Sequence, residues 1–198
     1  MSHLGTRLLA DRFTDTDEGV IGCGKGMAIN LMAKHFPTST FYGYDLSKEA
    51  IDGAKKEGRD MNNSNVFFKV HNILDLKVND KFDLITAFDA IHDQPKPDLV
   101  LQNIYQSLSH KGVFLMQDIL ASTPLKDNIS HPLGTFLYTI SCMHCMTVSL
   151  SQNGAGLGAM WGKEKAVSML REAGFDNIEV KTLLHDFQNY YYIGRKDK

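Results

Sequence analysis

The sequence predicts an α/β fold: a doubly wound, mostly parallel seven-stranded sheet closed by an antiparallel terminal strand. Three observations carry this expectation. Short apolar runs alternate with helix-patterned segments along the 198 residues, which is how the strands and crossover helices of a parallel sheet read. The last two runs are separated only by residues 184–189, too few for a helical crossover, so they pair as an antiparallel hairpin. A glycine cluster, Gly22-Cys23-Gly24-Lys25-Gly26, stands between the first apolar pair and a helical pattern, where amide donors and a helix dipole can meet a ligand.

Taken in order, strands are expected at Val20–Ile21, Thr40–Tyr44, Val66–His71, Phe82–Phe88, Gly112–Ile119, Ile178–Leu183 and Tyr190–Arg195. The first is expected to be short, because residues 15–19 are mostly polar. Met27–His35 carries its apolar residues on one helical face and stops before Pro37. Ser47 opens a second helix with Glu49 in its first turn. Residues 98–107 place Leu99, Val100, Asn103 and Ile104 at helical spacing, and Lys111-Gly112 then turns the chain into the next strand. A further helix spans Lys163–Ala173 and ends at Gly174. The stretch 120–161 is too long for a connection and too apolar for a linker, so it is expected to fold over the carboxyl edge of the sheet as a substrate lid. The expected organisation is a short N-terminal remnant, 1–19, and one domain, 20–198, with the lid inserted at about 120–161.

Composition narrows the function classes. Net charge is -2 and pI about 6.4, with Lys and Arg scattered, so no basic stripe offers nucleic acid a track. No apolar run approaches the ~20 residues of a membrane span, and no signal-like segment opens the chain. Cys23, Cys142 and Cys145 are odd in number and unmatched in spacing, which argues against a disulfide framework. The expectation is a soluble, cytoplasmic chain whose partner is a small-molecule substrate, with a homodimer compatible with this composition.

Asp45 ends the second strand, 19 residues after Gly26, where a carboxylate can accept bonds from both hydroxyls of a ribose. Nicotinamide folds require G-x-G-x-x-G, but Met27 follows Gly26 here, so the loop favours a ligand without a pyrophosphate. That pattern and the terminal hairpin together speak against a nicotinamide oxidoreductase. Lys25 could still serve a phosphate as a point cation.

In chain order, Gly22 to Gly26, Asp45, Asn72-Ile73 and Phe82 to Asp93 resemble the class I, Rossmann-like S-adenosylmethionine-dependent methyltransferases, and the likeness covers nearly everything after Val20. The runs 88–93, 144–146, 156–162 and 189–191 resemble a subfamily of uncharacterised methyltransferases. Its members usually carry an N-terminal winged-helix-like domain, expected to be absent here. The resemblance implies S-adenosylmethionine as cofactor, with Gly22, Cys23, Gly24 and Gly26 along its methionine part. It further implies Asp45 and Leu46 at its ribose, Asn72 and Ile73 at adenine, and Phe88 and Asp89 beside the methyl donor. One departure stands out: Val20 occupies the position where the family carries an acid.

Methyl transfer from a sulfonium is an in-line displacement that requires no covalent residue, but a hydroxyl or ammonium acceptor needs a base. His92, beside Asp89 and Asp93 at a strand's carboxyl end, is the best-placed imidazole, with a turn-capping histidine as the alternative and His144 as a second base. His144 between Cys142 and Cys145 invites a zinc reading, but no second ligand pair follows, so no metal is expected. Phe136, Tyr138, Met143, Met146, Met160 and Trp161 either line an apolar acceptor site or pack as core. Tyr191 should face opposite to Tyr190 and Tyr192. The expected function is methyl transfer to a small apolar or aromatic acceptor. The alternative is a non-catalytic or weakly cofactor-binding remnant acting as scaffold or regulator.

Overall fold

The computed structural model describes residues 16–196. A seven-stranded sheet is formed by β1 (Asp17–Ile21), β2 (Thr40–Asp45), β3 (Val66–Val70), β4 (Phe82–Phe88), β5 (Leu108–Ile119), β6 (Asn177–Leu183) and β7 (Asp186–Arg195), in the order β3-β2-β1-β4-β5-β7-β6. The first five strands are mutually parallel, and β7 runs antiparallel to both β5 and β6. Strand order reverses between β1 and β4, and in open α/β sheets ligands bind in the crevice at such a reversal.

The first strand is longer than residues 20–21, because its polar half pairs with both neighbours. Glu18 lies opposite Phe41 and Leu84 and is 2% exposed. Central position in the sheet supplies the ladder bonds that local propensity does not. β5 likewise starts four residues early, at Leu108. Lys111 adopts a left-handed φ of 66°, and the pairing with β4 jumps from Phe82–Leu108 to Leu84–Val113, so the expected turn survives as a bulge within the strand. The terminal hairpin is tighter than expected. Leu183 pairs with Asp186, and the Asp186 carboxylate accepts from the Gln188 N–H, Asn189 Nδ2 and Tyr191 Oη.

Among the described residues, four of the helices pack against the sheet. The first two, α1 (Met27–His35) and α2 (Lys48–Asp60), pack together on one side; α1 buries Ile29 and Ala33 with Val20 and Phe41. Ser47 caps α2, its Oγ accepting from the Ala50 N–H at 3.1 Å. On the opposite face α3 (Pro97–Ser107) contributes Val100, Leu101 and Ile104. These join Ile21, Ile85, Ala87, Phe114 and Tyr192 in the main core, together with Ala166, Met169 and Leu170 of a helix at Lys163–Glu172.

Residues 120–161, the cap segment, connect β5 to the helix at Lys163–Glu172. A one-turn 3-10 helix (Leu125–Asn128) leads into a helical run: α4 (Gly134–Ile140), a π turn (Ser141–Cys145) and α5 (Met146–Leu150), after which the helix at Lys163–Glu172 is α6. The two ends of the insertion are tied together. The Lys163 N–H donates to the Ala121 carbonyl at 2.9 Å, and Thr123 Oγ1 donates to the Trp161 carbonyl at 2.9 Å. No helix among the described residues is long and apolar enough to cross a membrane.

Candidate active site

The glycine loop begins where β1 ends, and its residues turn out to do different work. A side chain at Gly24 would meet nothing within 4 Å, and its φ of +53° suits a residue without Cβ, so this position leaves backbone open toward a ligand. At Gly26, φ +83°, a Cβ would come within 2.6 Å of the Ala54 Cβ and 3.1 Å of its backbone, so this glycine exists to let α1 and α2 approach. The Cys23 thiol turns away toward Gly43 and the apolar cluster under α1, where burial pushes it up to about 12, with the Asp45 charge adding to the effect.

Beside the loop, at the β1–β4 reversal, an open cleft of about 380 Å³ including its mouth is lined by Ile21, Gly22, Tyr44, Asp45, Leu46, His71, Ile73 and Gln94. Asp45 is its fixed charge. Its Oδ2 accepts from the Gly24 N–H at 2.9 Å and its Oδ1 from the Ser47 N–H at 2.8 Å, which ties the loop to the end of β2. Each oxygen keeps a second lone pair for a ligand hydroxyl. Four residues named from sequence, Gly22, Asp45, Leu46 and Ile73, thus meet here.

Ile21, Tyr44, His71 and Gln94 were not foreseen as lining residues. Ile21, Tyr44 and His71 stand at the carboxyl ends of the parallel strands β1, β2 and β3, and that shared sheet edge is the signal that would have found them. Asn72 lies outside the lining: its Oδ1 accepts from the Leu74 N–H at 3.0 Å and caps a 3-10 turn at Ile73–Asp75. Phe88, half-buried at the end of β4 and paired with Gln117, also lies outside it.

An adenosyl ligand fits these residues: a carboxylate for the sugar, an open backbone at Gly24, and apolar walls at Ile21, Leu46 and Ile73. Val20, behind the loop, is 2% exposed in the cluster with Ile29, Ala33 and Phe41.

A second group of side chains lies on the turn that follows β4. His92 is 4% exposed, and its Nδ1 faces both oxygens of Asp118 at 2.8 and 3.0 Å. Asp118, fully buried near the end of β5, also accepts from the Ile119 N–H at 2.8 Å. With that carboxylate on Nδ1, the proton is assigned to Nδ1 and the Nε2 lone pair is left free. Burial pulls the imidazole pKa down, but the hydrogen bond and charge of Asp118, then Asp93 and Asp89, outweigh it and leave it raised.

Asp118 was missed because nothing in the run Leu115–Ile119 marks one polar residue as facing inward next to an imidazole 26 positions away. Asp89 adopts a left-handed φ of 48° and accepts from Gln117 Nε2 at 2.9 Å. Burial of its carboxylate among Asp118 and Asp186 raises it to about 6, although the residue's outer face is open to solvent, which screens the shift.

The cap closes over this turn. Ser149 Oγ donates to the Gln94 carbonyl at 3.1 Å, and the Ala155 N–H donates to the Pro95 carbonyl at 2.9 Å. Cys145 points inward, while Cys142 and His144 face solvent, so those three do not converge. Nor do the apolar candidates form one wall. Phe136 and Met143 are exposed, Met160 packs with Ala121 and Leu137, and Trp161 belongs to the main core. Tyr190 and Tyr192 pair ring to ring, while the Tyr191 hydroxyl donates to Asp186 at 2.6 Å.

Comparison with known proteins gives a consistent picture. The profile of a family described as "Methyltransferase domain" matches residues 21–181. Over 118 residues the chain is 28% identical to a malonyl-[acyl-carrier protein] O-methyltransferase of Bacillus cereus, covering 58% of this chain and 43% of that protein. Among solved structures, an O-methyltransferase family protein from Burkholderia thailandensis superposes with a TM-score of 0.72 at 15% identity, over 98% of this chain and 56% of that one. A phosphoethanolamine N-methyltransferase 2 of Haemonchus contortus, in complex with S-adenosyl-L-methionine, superposes with a TM-score of 0.71 at 16% identity, over 98% and 52%. The chain spans less than half the length of the curated relatives it matches.

Proposed function

Because the chain belongs to the methyltransferase-domain family, we propose that it transfers a methyl group from S-adenosylmethionine to a small acceptor, apolar or aromatic in class, presented under the cap. The observation that carries this reading is the adjacency of two prepared groups. The Asp45 carboxylate is fixed at the cleft by two backbone donors, and His92, bonded to the buried Asp118 of β5, sits on the turn whose Gln94 lines the same cleft.

When bound, S-adenosylmethionine supplies an electrophilic methyl on a sulfonium. Asp45 would hold the ribose hydroxyls, Gly24 would leave its backbone clear, and Ile73 and Leu46 would cover the base. Asp118 holds the proton on Nδ1 of His92, so Nε2 is left to take the acceptor's proton. His92 is buried beneath the cap, so an acceptor reaches it only when the Ser149–Gln94 and Ala155–Pro95 bonds open. Reclosure would exclude water from the reacting groups.

Titration calorimetry with S-adenosylmethionine and S-adenosylhomocysteine tests this. The wild type should bind both, and Asp45→Ala should weaken binding roughly 10- to 100-fold, about 1.4–2.8 kcal/mol. A folded wild type with no binding at millimolar ligand would end the reading. One observation favours a scaffold instead: the buried Val20 stands behind the glycine loop, where the resemblance implies an acid. In that case only a variant with the acid restored, Val20→Asp, would bind.

A further inference from the structure

Three potential metal ligands meet where the cap touches the turn after β4. His92, Asp93 and Cys145 each offer one ligand atom, all within 4.8 Å of one another. His92 and Asp93 come from the turn, and Cys145 comes from the π turn of the cap. Asp93 Oδ1 is buried without a hydrogen bond of ordinary geometry among the described residues, and the Cys145 thiol is bonded to the same carboxyl, burial and that carboxyl together pushing the thiol up to about 11. Asp93 Oδ1 faces His92 Nε2 at 3.4 Å, beyond the usual 2.7–3.2 Å of a nitrogen–oxygen hydrogen bond. In a tetrahedral zinc site with Zn–N and Zn–O bonds of about 2.0–2.2 Å, the nitrogen–oxygen edge is about 3.4 Å. The Asp93 oxygen and the imidazole already stand at that edge, and the sulfur has to close by about 1.3 Å at most.

The surroundings complete the argument. A metal-bound histidine normally donates its other ring N–H to a carboxylate, and Asp118 receives Nδ1 here at 2.8 Å. One thiolate, one imidazole and one carboxylate form a borderline-soft set that suits zinc over magnesium or calcium. Three acids, Asp89, Asp93 and Asp118, face a single imidazole, and a divalent cation would offset that excess.

We propose that His92 Nε2, Asp93 Oδ1 and Cys145 Sγ form a three-ligand zinc site that clasps the cap to the turn after β4. Occupancy takes the lone pair of His92 and pins Cys145 in place, so zinc inhibits methyl transfer by removing the base and holding the cap shut. The binding stands on geometry alone; the inhibition rests on the activity proposed above.

Cobalt(II) titration of the full, metal-stripped chain provides the test. One equivalent should produce a thiolate-to-cobalt charge-transfer band and the visible bands of tetrahedral cobalt, and stoichiometric zinc should abolish both. Cys145→Ala and Asp93→Asn should each weaken binding at least about 100-fold, since even outer-shell partners cost 10- to 100-fold. Cys142→Ser, which alters an exposed thiol, should leave the spectrum unchanged. Circular dichroism confirms that each variant is folded, and loss of the band in both ligand variants makes misfolding of either one insufficient as an explanation. Absence of the charge-transfer band in the wild type, or its persistence in Cys145→Ala, overturns the site. A full spectrum in a chain that binds no S-adenosylmethionine supports the site and counts only against the activity.

Discussion

Glu18 shows how much a single residue in this sheet depends on its surroundings. It is 2% exposed in the central strand, and burial raises its carboxyl from 4.5 to about 8, with Thr16 lowering and Asp83 raising it further. The folded chain therefore holds a proton that the unfolded chain releases. Stability is at its full value below about pH 4.5 and falls as pH rises toward 8. Glu18→Gln should remove that fall, with melting temperatures matching wild type near pH 4.5 and a gain of roughly 3–5 kcal/mol by pH 8.5. Equal slopes in the two proteins would mean that Glu18 ionises freely. Asp118 is a second such residue, acting through His92. In an active chain Asp118→Asn should lower kcat about 10²- to 10³-fold while KM stays within a factor of a few, because substrate contacts remain and the imidazole loses its orientation. A parallel rise in KM would indicate a merely structural role.

At the scale of the element, the cap helix explains why its chemistry was hard to read. After Gly134, its buried positions are Leu137, Ser141, Cys145 and Ser149, each of the last three four residues after the one before. In an α-helix four residues advance 400°, so three such steps would drift by about 120° and carry Ser149 off the buried face. The π turn at Ser141–Cys145 winds more slowly per residue and restores the phase, which turns Cys145 toward Asp93. Nearness in sequence is what groups Cys142, His144 and Cys145, and the fold separates them. Deleting Met143, which is 76% exposed, would convert the buried spacing to 4-3-4, the natural α pattern. That variant should fold with stability within about 1 kcal/mol of wild type or above it, measured by denaturant titration. A loss above about 3 kcal/mol would show that the π turn is itself a stabilising feature.

Across the whole molecule, the two candidate sites share one turn, residues 89–94, packed between the glycine loop and the cap. The close approach is tight enough that a Cβ at Gly22 would come within 2.7 Å of Ala90. A ligand held in the cleft should therefore stabilise the chain as a unit. At 100 times its Kd, S-adenosylmethionine would add about 2.7 kcal/mol, a rise of roughly 5–10 °C for a domain of this size by differential scanning fluorimetry. A shift under about 1 °C at millimolar ligand would mean that the folded chain does not bind it.

What the amino-acid order determined by itself was local. Alternating apolar runs set the number and succession of strands in a mostly parallel sheet, glycines at 22–26 marked the turn after β1, and Asp45 marked the end of β2. Each of these follows from side-chain period, backbone freedom or loop length, which are properties of neighbouring residues. Only the tertiary structure decided that Gly26 serves helix packing, that Asn72 caps its own turn, that Asp118 orients His92, and that Cys145 meets Asp93. These depend on contacts between residues 26 or more positions apart, or on which lone pair is already taken, and a chain's local pattern carries neither.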